Sequence, residues 1–127
     1  MRRIILDTSR SDQHASLNNE LLDLLGYGLA KFDKSFIREF GFATKSAFYQ
    51  YFVNLHIAET VYVIKNRQDH FDPFFDNGRK GWWQDYDYYQ NRKIAIDHIF
   101  GNMNVTQFVV YIKGCLTDKR FTLIQQI

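Results

Sequence analysis

The side chains with the widest catalytic repertoire, histidine and cysteine, are few and scattered in this chain. The four histidines lie at positions 14, 56, 70 and 98, and Cys115 is the only cysteine. A zinc site would need side chains from several distant elements to converge, and one cysteine excludes both a cysteine-based metal site and an intramolecular disulfide. There is also no Ser/His/Asp motif and no phosphate-binding glycine loop. We therefore predict no metal and no cofactor.

The segment 36–52, which includes "REFGFATKSAFYQYF", has a spacing that is typical of a binding motif. Phe36 precedes Gly41 by five positions, Phe42 follows the glycine, and Phe48 and Tyr51 form an aromatic pair in the next predicted helix. With "LLGYGLAKF" before it, the chain from residue 24 to residue 54 resembles the helix-turn-helix of TetR-family repressors.

This resemblance implies a small DNA-binding regulator. The residues facing the major groove would be Thr44, Lys45, Ser46 and Gln50. Thr44, Ser46 and the helix N-terminus would hold a phosphate, and Lys45 would add positive charge. Asn54 stands where the family has a phosphate-contacting lysine. The alternative interpretation is a plain helical hairpin with an aromatic core.

A second pair of residues, Arg92 and His98 in "NRKIAIDH", resembles the arginine-to-histidine signature of HEPN ribonucleases. The resemblance implies metal-independent RNA cleavage at a cleft between two chains. His98 would act as general acid or base toward the ribose 2′-hydroxyl, and Arg92 would stabilise charge on the phosphorane. The alternative is a solvent-exposed Arg92 and a His98 near the helix C-terminus, where a cation is favourable.

The third segment, "KGWWQDYDYYQ", is rich in aromatic residues. Helical spacing assigns Tyr86 and Tyr89 to a buried stripe. We predict that Trp82, Trp83 and Tyr88 bind a protein partner, because large, stiff aromatic side chains with a polar group are favoured at interfaces. The chain would then be a non-enzymatic interaction module, such as a phage-borne or mobile-element inhibitor or antitoxin. The alternative is that these aromatics belong to the core.

Composition is that of a globular domain. Apolar residues make up 46%, charged residues 24% and aromatic residues 17% of the 127 residues, and the net charge is +2. Residues 1–66 and 67–127 each hold eight Lys/Arg and seven acids, whereas dedicated nucleic-acid binders usually have a basic stripe. The aromatic surplus favours a homodimer. The longest apolar runs are too short for a signal peptide or a membrane span, so we predict a cytoplasmic protein.

The elements that position these residues are predicted to be five or six helices in one all-α domain, residues 1–127. The longest periodic run begins at Thr44 and extends to about residue 68 as the central helix, with Phe48, Phe52, Leu55 and Tyr62 on one face, although its second half also has strand character. Gly26 and Gly28 are expected to weaken or end the first helix.

Three further boundaries follow from local patterns. A long loop is predicted at about residues 67–82, where the only proline lies. "RRIILDT" is compatible with a short N-terminal strand. Asn104 and Gln107 form a capping-box pattern, and the apolar stripe that follows favours a helix. A β-hairpin over residues 105–126 is the alternative.

Overall fold

Six α-helices make up residues 17–117, the range that the computed structural model describes. They are α1 (Leu17–Phe32), α2 (Lys34–Phe40), α3 (Lys45–Asn54), α4 (Val61–Phe71), α5 (Tyr86–Phe100) and α6 (Val105–Leu116), with a 3₁₀ turn at Asp72–Phe74. Within that range there is no strand. The prediction of an all-α fold with five or six helices is confirmed, and the predicted N-terminal strand lies outside the described residues.

α1 is the centre of the bundle. It packs against α2, α4, α5 and α6, most extensively against α4. The glycines at 26 and 28 do not end this helix, contrary to the expectation. Neighbouring residues occupy the space that a side chain at either position would fill. A Cβ at Gly26 would lie 2.7 Å from the Cβ of Arg67 in α4, and one at Gly28 would enter the ring of Phe36. The glycines therefore allow close helix packing.

The prediction of one long central helix after Thr44 is wrong. The chain leaves helical geometry after Asn54, His56 adopts a left-handed conformation with φ of 63°, and α4 starts only at Val61. Ile57 and Ala58 in this link are buried, so the break places two apolar side chains in the core. The segment with strand character is the first half of α4.

The core combines aliphatic side chains with a connected set of aromatic rings. Phe108 of α6 packs against Tyr27 of α1 and Phe36 of α2, with ring centroids 5.7 and 5.8 Å apart. Phe36 in turn contacts Phe48 of α3 at 5.7 Å. The high aromatic content is thus largely explained by the interior.

The predictions for α6 and for the loop before α5 differ in how well they match the structure. α6 begins with the predicted capping box: the Asn104 side chain accepts from the Gln107 N–H, and the Gln107 side chain accepts from the Asn104 N–H. Residues 105–116 are helical, and residues 120–126 of the rival hairpin lie outside the described range. The predicted loop starts later than expected, because α4 and the 3₁₀ turn extend to Phe74 and the irregular segment is residues 75–85.

Candidate nucleic-acid interface

α2, the turn after it and α3 form a helical pair with the predicted turn. Gly41 has φ of 105°, and its N–H donates to the Arg38 carbonyl while the Phe42 N–H donates to the Ile37 carbonyl, each at 2.9 Å. This pattern of bonds closes the end of α2, and a left-handed φ is readily adopted only by glycine. Phe42 packs on Phe48, with ring centroids 6.0 Å apart. The turn is therefore held at both its backbone and its side chains.

α3 begins at a well-formed N-cap. Thr44 has extended backbone geometry, and its Oγ1 accepts from the Ala47 N–H at 3.1 Å. Phe48 and Phe52 point inward and are fully buried. The opposite side of the helix faces solvent and consists of Ser46, Ala47, Gln50, Tyr51 and Asn54.

The four residues predicted to contact DNA lie at the N-cap and along the first six residues of α3. Thr44, Ser46 and Gln50 are exposed, whereas Lys45 is half-buried. The Gln50 amide Nε2 donates to the Asn54 Oδ1 at 2.9 Å, so these two amides form one hydrogen-bonded pair on the outer face. No acidic residue lies in α3. We define this outer face, Thr44, Ser46, Ala47, Gln50, Tyr51 and Asn54, as the α3 face.

The charge of Lys45 is partly neutralised by a residue that the sequence did not point to. Its Nζ lies 3.2 Å from the Asp33 carboxylate, which also faces Arg79 at 3.3 Å. Partial burial alone would raise the pKa of Asp33, but the ammonium of Lys45 and the guanidinium of Arg79 outweigh it and lower the pKa. Asp33 directly precedes α2, but its side chain makes no cap hydrogen bond and instead faces two cations.

Ion pairs continue from Asp33 into the irregular segment 75–85. Arg79 Nε donates to the buried Asp72 Oδ2 at 3.0 Å, and the Asn77 side chain donates to Asp72 Oδ1 at 2.9 Å. These contacts fasten the segment to the 3₁₀ turn and to the end of α1. None of them has a sequence signal, because they are made by an irregular segment to which no helical or strand period applies.

The aromatic segment presents two exposed tryptophans. Trp82 is 44% exposed and Trp83 60%, while Tyr88 is half-buried. Trp83 stacks on Tyr86, with ring centroids 4.9 Å apart and planes within 3°. Trp82 lies before α5, and its backbone N–H donates to the Asp69 carbonyl at 2.8 Å.

Arg92 and His98 have different surroundings. Arg92 is 2% exposed, and its Nε donates to Asp23 Oδ2 at 2.8 Å, whereas His98 is exposed in the last turn of α5. Arg67 Nη1 donates to Asp23 Oδ1 at 2.6 Å. A single chain therefore does not bring Arg92 and His98 to one cleft, and the expectation of a solvent-exposed Arg92 is wrong. In the sequence, the signal for this buried ion pair is the position of Asp23 within the apolar run "LLDLL".

Two kinds of feature are absent from residues 17–117. No three His, Cys, Asp or Glu side chains in this range come close enough together to hold a metal ion. None of its helices combines the length and the apolar character needed to cross a bilayer.

Comparison of the chain with protein-family models, with curated proteins and with solved structures finds no match. The candidate interface therefore rests on the geometry and charge of the α2–α3 pair itself.

Proposed function

We propose that this chain is a small DNA-binding regulator of helix-turn-helix type that inserts α3 into the major groove. The observation that carries the proposal is the α3 face, a solvent-exposed polar surface without an acidic side chain, on a helix held by a left-handed glycine turn. An acidic residue on this face would repel phosphates, whereas hydroxyl and amide groups can donate to phosphates and base edges.

The dimensions support the same proposal. The ten residues of α3 span about 15 Å, and a helix of ordinary diameter enters the roughly 12 Å wide major groove. The inner side of α3 packs on α2 and α4, which leaves its outer side accessible. In this arrangement Thr44, Ser46 and the N-terminus of α3 would approach a phosphate. The Lys45 ammonium would leave Asp33 and contact the DNA backbone instead.

The direct test is an electrophoretic mobility shift with random-sequence duplex DNA at low salt. We expect a retarded complex that weakens as salt is added, because phosphate contacts release counterions. Lys45→Ala should weaken binding and flatten the salt dependence. Lys93→Ala is the matched control, since Lys93 is a similarly half-buried lysine in an ion pair, but on α5. The absence of any shift at low salt would reject the proposal.

We also propose a homodimer, because helix-turn-helix proteins commonly bind two half-sites through two-fold symmetry. Support comes from exposed apolar side chains on α5 and α6, namely Ile94, Ile99 and Val110. Light scattering on the purified protein should give the mass of two chains. A single-chain mass throughout the micromolar range would contradict the homodimer.

A cytoplasmic location of the protein stays a prediction.

A second candidate function, protein interaction, is favoured by the exposed tryptophans. Trp82 and Trp83 are held on a segment fastened by Arg79, and exposed acids at Asp85 and Asp87 favour a basic partner over a phosphate-bearing one. Trp83→Ala should leave thermal stability unchanged and lose a partner that the unmodified protein retains in a pull-down. Retention of every bound protein by the variant would contradict this function.

A further inference from the structure

The α3 face is poor in the side chains that read guanine. Arginine and lysine are the usual readers of the guanine O6 and N7 acceptors. α3 has no arginine, and its one lysine, Lys45, is half-buried and paired with Asp33 at 3.2 Å. The groups available for base contacts on this face are instead amides, hydroxyls and a methyl.

The two amides are organised as a unit. Gln50 and Asn54 are one helical turn apart, and Gln50 Nε2 donates to Asn54 Oδ1 at 2.9 Å. This bond uses one hydrogen of Gln50 Nε2 and one lone pair of Asn54 Oδ1. Gln50 keeps its Oε1 as an acceptor, and Asn54 keeps both hydrogens of its Nδ2 as donors. Both residues are exposed, so neither amide has to leave the core to reach a ligand.

Building on the proposed DNA binding, we propose that this amide pair makes the protein selective for A·T base pairs in the major groove. Adenine presents an N6 donor beside an N7 acceptor, the pattern that glutamine and asparagine match. Gln50 Oε1 would accept from adenine N6, and Asn54 Nδ2 would donate to N7 of the same or the adjacent adenine. Without a guanidinium on the α3 face, G·C pairs have no equally good partner.

Ala47 extends this preference along the helix. It lies three residues before Gln50 and seven before Asn54, so the three side chains share one stripe of α3. The alanine methyl can pack on the thymine C5-methyl, a contact that cytosine does not offer. Base choice and phosphate attraction are thereby assigned to different residues: the stripe of Ala47, Gln50 and Asn54 for bases, and Lys45 for charge.

The test is selection from a random duplex library, followed by competition between the selected site and single A·T-to-G·C changes. We expect an A·T-rich core in the selected sites and about a ten- to hundredfold loss of affinity for the best-read pair. Gln50→Ala and Asn54→Ala should each remove most of that discrimination while retaining the salt dependence. Gln50→Arg should shift the preference toward guanine at the same position.

The controls separate this inference from the proposed function. Gln90→Ala, an exposed glutamine on α5, should keep both affinity and preference. Lys45→Ala should weaken binding to all sequences alike. Binding without base preference, or with G·C preference, overturns the A·T inference alone. A preference that survives both Gln50→Ala and Asn54→Ala also overturns it, whereas no binding to any member of the library overturns the DNA-binding function as well.

Discussion

Asp23 is the residue at which α1, α4 and α5 are joined by charge. Its carboxylate is 1% exposed and accepts from Arg67 on one oxygen and from Arg92 on the other. A buried ion pair contributes modestly when complete, but removal of one partner leaves an uncompensated buried charge.

We therefore expect Asp23→Asn to lower the free energy of unfolding by about 3–5 kcal/mol. Urea denaturation followed by far-UV circular dichroism measures this change. Asp87→Asn, an exposed acid on α5, is the control and should change stability by less than about 0.5 kcal/mol. Equal midpoints for the two variants would show that Asp23 does not stabilise the bundle.

Tyr27 makes stability depend on pH at the alkaline end. Burial, then the hydrogen bond to Asp97 and the charge of that carboxylate, raise the pKa of the Tyr27 hydroxyl. An unfolded tyrosine ionises near pH 10. Because the raised folded pKa favours the neutral hydroxyl, this contribution to stability is complete below about pH 10 and is lost as the pH rises above it.

Tyr27→Phe should consequently lower the free energy of unfolding by about 1 kcal/mol at neutral pH. It should also reduce the loss of stability between about pH 9 and pH 11. Urea midpoints measured across this range test both effects. Tyr62→Phe is the control, because Tyr62 is 67% exposed. A pH profile of Tyr27→Phe parallel to that of the unmodified protein would contradict the role of Tyr27.

At the scale of the helices, Gly26 and Gly114 both occupy helical positions but have opposite surroundings. A Cβ at Gly26 would lie 2.7 Å from the Arg67 Cβ, whereas a Cβ at Gly114 would meet nothing within 4 Å. We expect Gly26→Ala to destabilise the protein by about 1–3 kcal/mol through overpacking. Gly114→Ala should stabilise it by up to about 1 kcal/mol, the ordinary helix-propensity gain. Thermal unfolding of both variants measures the difference, and a gain in both would contradict close packing at Gly26.

Helix existence was more predictable than helix boundaries. The capping box at Asn104 and the glycine turn at Gly41 are local chemistry, and sequence spacing identified both. The passage of α1 through its glycines and the break at His56 depend on what packs nearby, so local propensity gave the wrong boundaries. The same holds at the candidate site: exposure of Thr44, Ser46 and Gln50 followed from their spacing, whereas the Asp33 partner of Lys45 is a tertiary contact.

For the whole molecule, positive charge near α3 is sparse and partly compensated. Lys34 and Arg38 are exposed on α2, and Lys45 shares Asp33 with Arg79. If the proposed DNA binding uses about three phosphate contacts per chain, the slope of log affinity against log salt should be about −2 to −3. Asp33→Asn should tighten DNA binding and make the slope more negative by up to about 1, because Lys45 is released.

Fluorescence anisotropy titrations at several salt concentrations measure these slopes. Asp69→Asn is the control, since Asp69 pairs with the surface residue Lys65 at 3.8 Å. An unchanged slope in Asp33→Asn would mean that Asp33 does not limit Lys45. A slope much steeper than about −5 would assign the DNA contacts to a larger basic surface than the α2–α3 pair.

The position of the two tryptophans also determines what the protein's intrinsic emission reports. Both indoles lie in segment 75–85, and Trp82 meets His70 edge-on at 5.5 Å. Emission therefore follows this segment, while circular dichroism follows the helices, and non-coincident transitions would reveal that the segment detaches before the bundle unfolds. The same unlabelled signal distinguishes the two proposed activities: a ligand on the α3 face should leave the emission unchanged, and a partner seated on Trp82 and Trp83 should shift it.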